Sequence, residues 1–428
     1  MKGQVFLIMG VVAFVFIPSV WASQQQGDAN SLVNLQDYLR YAALHNAGLK
    51  AAFEQWRAAV KAVPQAQALP DPRFTYGYFI NGVETRVGPQ KQKFGIMQVF
   101  PWFGKIKART DTAAAAAKAA WKQLEAAELK LFFEVKEAFY EYAYLASAVE
   151  IARENLELIK YFEEVARIKY IAAAAGHPDV IRAQVELAKL ENHLEALEDL
   201  RRPVVARLNA VLNRPTAARL DWPKKQEFQQ VHLDRSQMIE MLKDRNPELA
   251  GLDWEVEAAK KRVELAKKKF YPDIGVGVDW IQTDGAISSG VSGSGEDPVI
   301  LMFSMNLPLW RNSYKAAERQ AKANVRKITQ QKIDTENNIL AKAVQVLYNF
   351  EDSTRKTHLY GDILVSKAKE LVQASETAYK AGTVDFLSLI DAQQMLLSYQ
   401  LAYERAVTDN QQKLAELEML VGMNLGTK

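Results

Sequence analysis

The chain has 428 residues, 54 lysines and arginines against 51 aspartates and glutamates, a formal net charge of +3 and no cysteine. That balance excludes a nucleic-acid binder steered by a large positive field. The missing thiols exclude disulfides, zinc–thiolate centres, cysteine nucleophiles and a lipidated N-terminal cysteine.

The N-terminus carries Lys2, an apolar run from Val5 to Val20 broken near its end by Pro18, and the boundary Val20, Trp21, Ala22 followed by polar residues. These are the parts of a secretory signal over residues 1–22, with cleavage expected between Ala22 and Ser23. A retained anchor is the competing reading, but the apolar stretch is shorter than the roughly 20 residues that span a bilayer. Past this segment no window has the composition of a membrane helix, although 49% of all residues are hydrophobic. The apolar residues are dispersed in stripes instead.

The mature chain reads as two copies of one unit, 23–212 and 234–428, joined by a linker at 213–233 rich in Pro, Lys and Gln. The first copy opens on a helix of roughly 35 residues, with Asn46 at the head of a helix and Pro70 and Asp71 where that helix stops. A strand pair follows over about 72–100, then a helix over about 102–174 and another over about 178–212. In the second copy Asn246, Pro272 and Asp273 mark the same points, with strands over about 272–307 and helices over about 310–381 and 384–421. Phe100, Pro101 and Trp102 answer to Leu307, Pro308, Leu309 and Trp310. Basic Lys105, Lys107 and Arg109 answer to Arg311, Lys315 and Arg319, and Gly176 and Asp179 to Gly382 and Asp385.

A helix of roughly 70 residues spans about 100 Å, and two shorter ones laid end to end would match it. In the first long helix Leu131, Val135, Ala138, Tyr142, Leu145, Val149, Ala152, Leu156 and Ile159 alternate steps of four and three. That spacing predicts a left-handed coiled-coil seam. The strand segments differ in kind. Phe74, Tyr76, Tyr78 and Ile80 alternate with Thr75, Gly77, Phe79 and Asn81, and a second short apolar run covers Lys93 to Phe100. Ile274, Val276, Val278 and Trp280 alternate with Gly275, Gly277 and Asp279, and the partner run Val299 to Leu307 lies beyond the Gly/Ser-rich stretch from Asp284 to Asp297. Segments of about ten alternating residues suit tilted membrane strands as well as a soluble sheet packed on helices. Four strands cannot close a barrel alone, whereas several protomers could close one without edges.

The whole mature chain resembles the TolC outer-membrane efflux family. The most specific segment is Tyr379 to Gln393, which is similar to the family's helix-turn-helix at the periplasmic tip, and a weaker copy surrounds Arg167, Gly176, Asp179 and Val180. Gln98 to Lys105 resembles the CzcC-like branch of heavy-metal and cation efflux. The resemblance implies a mainly α fold in which three protomers build a helical barrel and a twelve-stranded β-barrel. It further implies an outer-membrane location in a Gram-negative bacterium, a periplasmic membrane-fusion adaptor, and an inner-membrane pump of the resistance-nodulation-division type that supplies the energy.

Carried over by position, Asp391 would line the constriction at the closed end, with Ser388 where some members have a second acid. Gly176 and Gly382 are expected to permit the tip turns, and Asp179 and Asp385 to cap the helices that follow. Leu387 and Leu389 are candidates for adaptor contact or for core packing. Capping and packing compete with the pore role at each position. An enzyme is not expected: the five histidines are scattered, and no nucleophile elbow or phosphate loop is present. Met238 and Met241, or Met302 and Met305, could suggest a copper site, but packing explains them, so neither cofactor nor metal is assigned. The other readings are a type I protein secretion duct of the same fold and a soluble periplasmic coiled-coil scaffold.

Overall fold

In the computed structural model, residues 32–228 and 230–425 are described; the expected signal and its cleavage point at Ala22 and Ser23 lie outside them. The first unit contains α1 (Leu35–His45), α2 (Ala47–Gln67), β1 (Arg73–Thr85), β2 (Gly88–Phe100), α3 (Lys105–Ile171) and α4 (His177–Val211). The second contains α5 (Arg235–Arg245), α6 (Pro247–Lys268), β3 (Ile274–Thr283), β4 (Val299–Met305), α7 (Arg311–His358), a π-helical segment (Leu359–Leu364), α8 (Val365–Ala381) and α9 (Phe386–Val421). The same order of elements runs twice.

Two helices open each unit in place of one of roughly 35 residues, and Asn46 and Asn246 head the second of them, where the sequence sets the head of a helix. Each asparagine takes an extended conformation, and its side-chain oxygen accepts the amide of Leu49 or Leu249. Its side-chain nitrogen donates to the carbonyl of Val211 or Leu420, at 2.8 Å in both copies. One residue thus caps a new helix and ties it to the end of the unit's last rod. The polar side chain serves two backbone groups that an unbroken helix would have used differently.

The seam of α3 is buried along its whole length, with Val135, Tyr142 and Ala152 fully enclosed. At mid-rod the two units build matching cores. Leu131, Val135, Ala138, Phe139 and Tyr142 pack with Leu208 and Leu212; Ile339, Ala343, Val346, Leu347 and Phe350 pack with Leu417 and Val421. Identical spacings place Phe350 208 positions after Tyr142. At the tips, the left-handed residue Gly382 stands 209 positions after its counterpart Ala173. The π-helical segment lies between these two levels, and a π turn is how a helix absorbs one inserted residue. So the long helix expected over 310–381 is not uniform. Gly361 in that segment lets the ring of Tyr403 approach; a Cβ there would lie 2.6 Å from it.

Among its described residues the linker contains no helix or strand, and it packs on the rods. Trp222 stacks on Tyr142 (5.1 Å between centroids), Arg201 lies 4.3 Å over Trp222, and the Leu220 carbonyl accepts from both the Tyr142 hydroxyl and Arg201. Lys225 pairs with the buried Glu404 of α9 at 2.7 Å. The join between repeats thereby becomes a strap across both.

The four strands form one antiparallel sheet in the order β1-β2-β3-β4, not two separate hairpins. Register sets Phe74, Ile96, Val278 and Leu301 in one row, and Tyr76, Phe94, Trp280 and Val299 in the next. All but Phe94 of these eight are exposed, as are Tyr78 and Ile80. The opposite face carries Arg73, Thr75, Lys93, Asp279 and Ser304, with Lys93 paired to the buried Asp279. One face is therefore apolar and open, the other mixed, with Met97, Ile281, Ile300 and Met302 beside its polar groups, and among the described residues both outer edges, β1 and β4, lack a strand partner.

Candidate functional site at the hairpin tips

At the far end of the rods from the sheet, α3 turns into α4 and α8 turns into α9. The second tip follows the expected chemistry. Gly382 ends α8 with φ 78°, and the amide and hydroxyl of Thr383 both bond back to the Ala378 carbonyl. Asp385 then caps α9: its Oδ1 accepts the Ser388 amide at 2.9 Å and the Ser388 hydroxyl at 2.7 Å. These bonds hold the Asp385 carboxyl below its ordinary range.

The first tip departs from expectation. Gly176 has φ −83°, which any residue adopts; the left-handed residue is Ala173, at φ 53°. Asp179 does not cap α4, because Gly176 occupies the N-cap and makes no side-chain bond there. The sequence match of Gly176 with Gly382 and of Asp179 with Asp385 is three positions out of step. In the structure Gly176 corresponds to Asp385, Asp179 to Ser388, Val180 to Leu389, and Arg182 to Asp391. Alanine repeats around the turn hid the shift.

Released from capping, Asp179 accepts a hydrogen bond from the Tyr379 hydroxyl at 3.3 Å. Lys169 of α3 stands 4.6 Å over the Tyr379 ring and donates to the carbonyls of Tyr379 and Lys380. Burial, and then the charge of Asp179, push the Tyr379 phenol up to about 12. Tyr379 also packs on Phe386 at 5.2 Å. Nearby, Tyr161 donates to Glu376 at 2.9 Å, and Lys380 to Glu376 at 2.6 Å. Higher in the rods a buried amide set joins α3 to α9: Asn155 donates to Gln400 at 2.9 Å and accepts from Gln393 at 3.1 Å. None of these links between hairpins was legible from motif spacing. The equivalence of Tyr170 and Tyr379 was the one signal that could have set the register.

Leu389 is fully buried with Phe386 and Ile390, so it is a core residue, while Leu387 is exposed. Leu387, Ile181 and Val185 line a groove of about 190 Å³ between α4 and α9, with Arg182 and Asp391 also on its walls. Asp391 and Ser388 are both exposed. The structure thus brings Asp385, Ser388, Leu387 and Asp391 to one end of the molecule, and sets an arginine in the position equivalent to Asp391 in the first repeat.

Long paired rods carrying an amphipathic, open-edged sheet define a channel subunit of the rod-and-barrel class. A family model described as "Outer membrane efflux protein" matches residues 39–214 and 238–423, one copy per repeat, and the chain belongs to this family of efflux channels, which are not enzymes. It is 21% identical over 402 residues to Nodulation protein T of Rhizobium leguminosarum bv. trifolii, covering 91% of this chain and 85% of that one. It is 24% identical over 302 residues to Toxin and drug export protein A of Aggregatibacter actinomycetemcomitans, covering 68% and 63%. Among solved structures, the outer membrane protein VceC of Vibrio cholerae superposes with a TM-score of 0.75 at 18% identity, over 91% of this chain and 96% of that one.

Proposed function

We propose that three copies of this chain form the exit duct of a tripartite efflux system and that its cargo includes metal cations. The observation that carries the duct is the sheet: its apolar face is open and among the described residues its two edges lack partners, a state stable only if neighbours complete the edges and lipid covers the face. Three such sheets make a twelve-stranded barrel in the outer membrane, and rods of about 100 Å carry the conduit through the periplasm. The hairpin tips meet a membrane-fusion adaptor, with Gly176, Asp179, Gly382, Asp385 and Leu387 in the contact region, and an inner-membrane pump of the resistance-nodulation-division type drives the flux. Cation cargo is supported by the resemblance of Gln98 to Lys105 to the CzcC-like branch.

Asp391, beside Ser388, is the gate acid. Arg182 in the equivalent position of the other repeat makes a trimeric tip alternate acid and base, so each charge moderates the selectivity of the other. A second reading, a duct for type I protein secretion, is favoured by the similarity to a relative named for toxin and drug export. The test is semi-native electrophoresis of mature protein from outer-membrane fractions, followed by single-channel recording. A conducting trimer whose cation preference falls in Asp391→Asn and rises in Arg182→Gln supports duct and gate together. A soluble, non-conducting monomer sinks both.

A further inference from the structure

Both repeats place one type of segment where strand passes into rod: proline, aromatic residues, then cations, as in Pro101–Trp102–Phe103 with Lys107 and Pro308–Leu309–Trp310 with Arg311 and Lys315. The duct reading uses the strands above and the rods beneath, and leaves this segment without a task. The structure gathers the junctions at one level. Trp102 stacks on Tyr271 at 5.5 Å with their planes 8° apart, Lys268 stands 5.8 Å from the Tyr271 ring, and Phe270 packs on Tyr314 of α7 at 5.6 Å. Lys105 is consumed internally, donating to the Tyr271 carbonyl and to Asp273 at 2.8 and 2.7 Å.

The remaining groups are open. Phe103 is 82% exposed and Trp310 79%. Lys107, Lys267, Lys269, Arg311 and Lys315 are all exposed, and none forms an ion pair among the described residues. The apolar rows of the sheet run down to this level through Phe100, Ile274 and Met305. Aromatic side chains at the end of an apolar band suit the bilayer interface, and zwitterionic lipid would satisfy them. Five unpaired cations at the same level need a net negative surface.

We propose that this junction binds the phosphate headgroups of anionic phospholipids in the leaflet nearer the helical end. The position follows from topology: β2 and β4 end here, whereas the Asp284 to Asp297 loop stands at the opposite end of the sheet. The proposal rests on the barrel reading for the sheet's place in the bilayer, and adds a charge preference that the barrel does not require.

The experiment uses full-length mature protein, delipidated in detergent and offered phosphatidylglycerol or phosphatidylcholine, with bound lipid counted by native mass spectrometry. Wild type should retain phosphatidylglycerol about tenfold better. The variant Lys267→Gln/Lys269→Gln/Arg311→Gln should lose that preference, while Lys160→Gln/Lys367→Gln, altered far along the rods, should keep it. Equal retention of the two lipids by wild type, or a preference that survives the triple variant, overturns the proposal. Conductance in pure phosphatidylcholine bilayers separates the two readings. If wild type and triple variant conduct there alike, the duct stands whatever the lipid result. If neither conducts in any bilayer, the barrel reading fails, and this proposal with it.

Discussion

Replacing Tyr379 by Phe removes one hydroxyl and nothing else: the ring stays over Phe386 and under Lys169, but the bond to Asp179 is gone. At 3.3 Å that bond is long, so although its acceptor is charged we assign it about 1 kcal/mol, near the mean for net hydrogen bonds. If it holds the two hairpins of the closed tip together, its loss multiplies the open population about fivefold. Lys169→Met removes the ring contact and both carbonyl bonds, and should open the tip further. The assay is open probability in planar bilayers, read in a cycle with Asp179→Ala, which has no side-chain acceptor. The double variant should behave like either single, since both remove the same bond. Unchanged open probability in Tyr379→Phe, or full additivity in the double, would refute the reasoning.

Asn246→Ala strips a cap and leaves the Leu420 carbonyl and Leu249 amide unpaired in a buried site, a cost of about 2–4 kcal/mol. Asn46→Ala, where the same bonds are only part-buried, should cost less, and the order of apparent melting temperatures checks this. Gly361→Ala drives a Cβ into the Tyr403 ring and should destabilise by about 1–3 kcal/mol; adding Tyr403→Leu should recover most of the loss in the same melting assay. Burial pushes Tyr38, Tyr140 and Tyr379 up to about 12. In the unfolded chain these phenols ionise near pH 10, so their stabilising contribution is complete below pH 10 and lost as pH rises towards 12. Alkaline titration monitored by circular dichroism should therefore show unfolding beginning above pH 10, and a Tyr140→Phe variant should resist it better.

Periodicity in the chain was enough to establish the rods, the doubled plan and the amphipathic strands, because those depend on local spacing. Steps of four and three from Leu131 to Ile159 can be satisfied only by a buried helical seam, and alternation from Phe74 to Ile80 only by a strand with unlike faces. The Asp385 cap and the left-handed Gly382 were legible for the same reason, since a cap and its turn lie within a few residues. Tertiary structure decided what depends on distant chain. It tied Asn46 and Asn246, legible as helix heads, to the remote carbonyls of Val211 and Leu420, and it joined β2 to β3 to make one sheet. It also corrected the tip register by three positions, because a run of alanines carries no phase until Val180 and Leu389 are buried. Asp179 was thereby freed to meet Tyr379, and Arg182 set in the place that Asp391 holds in the other repeat.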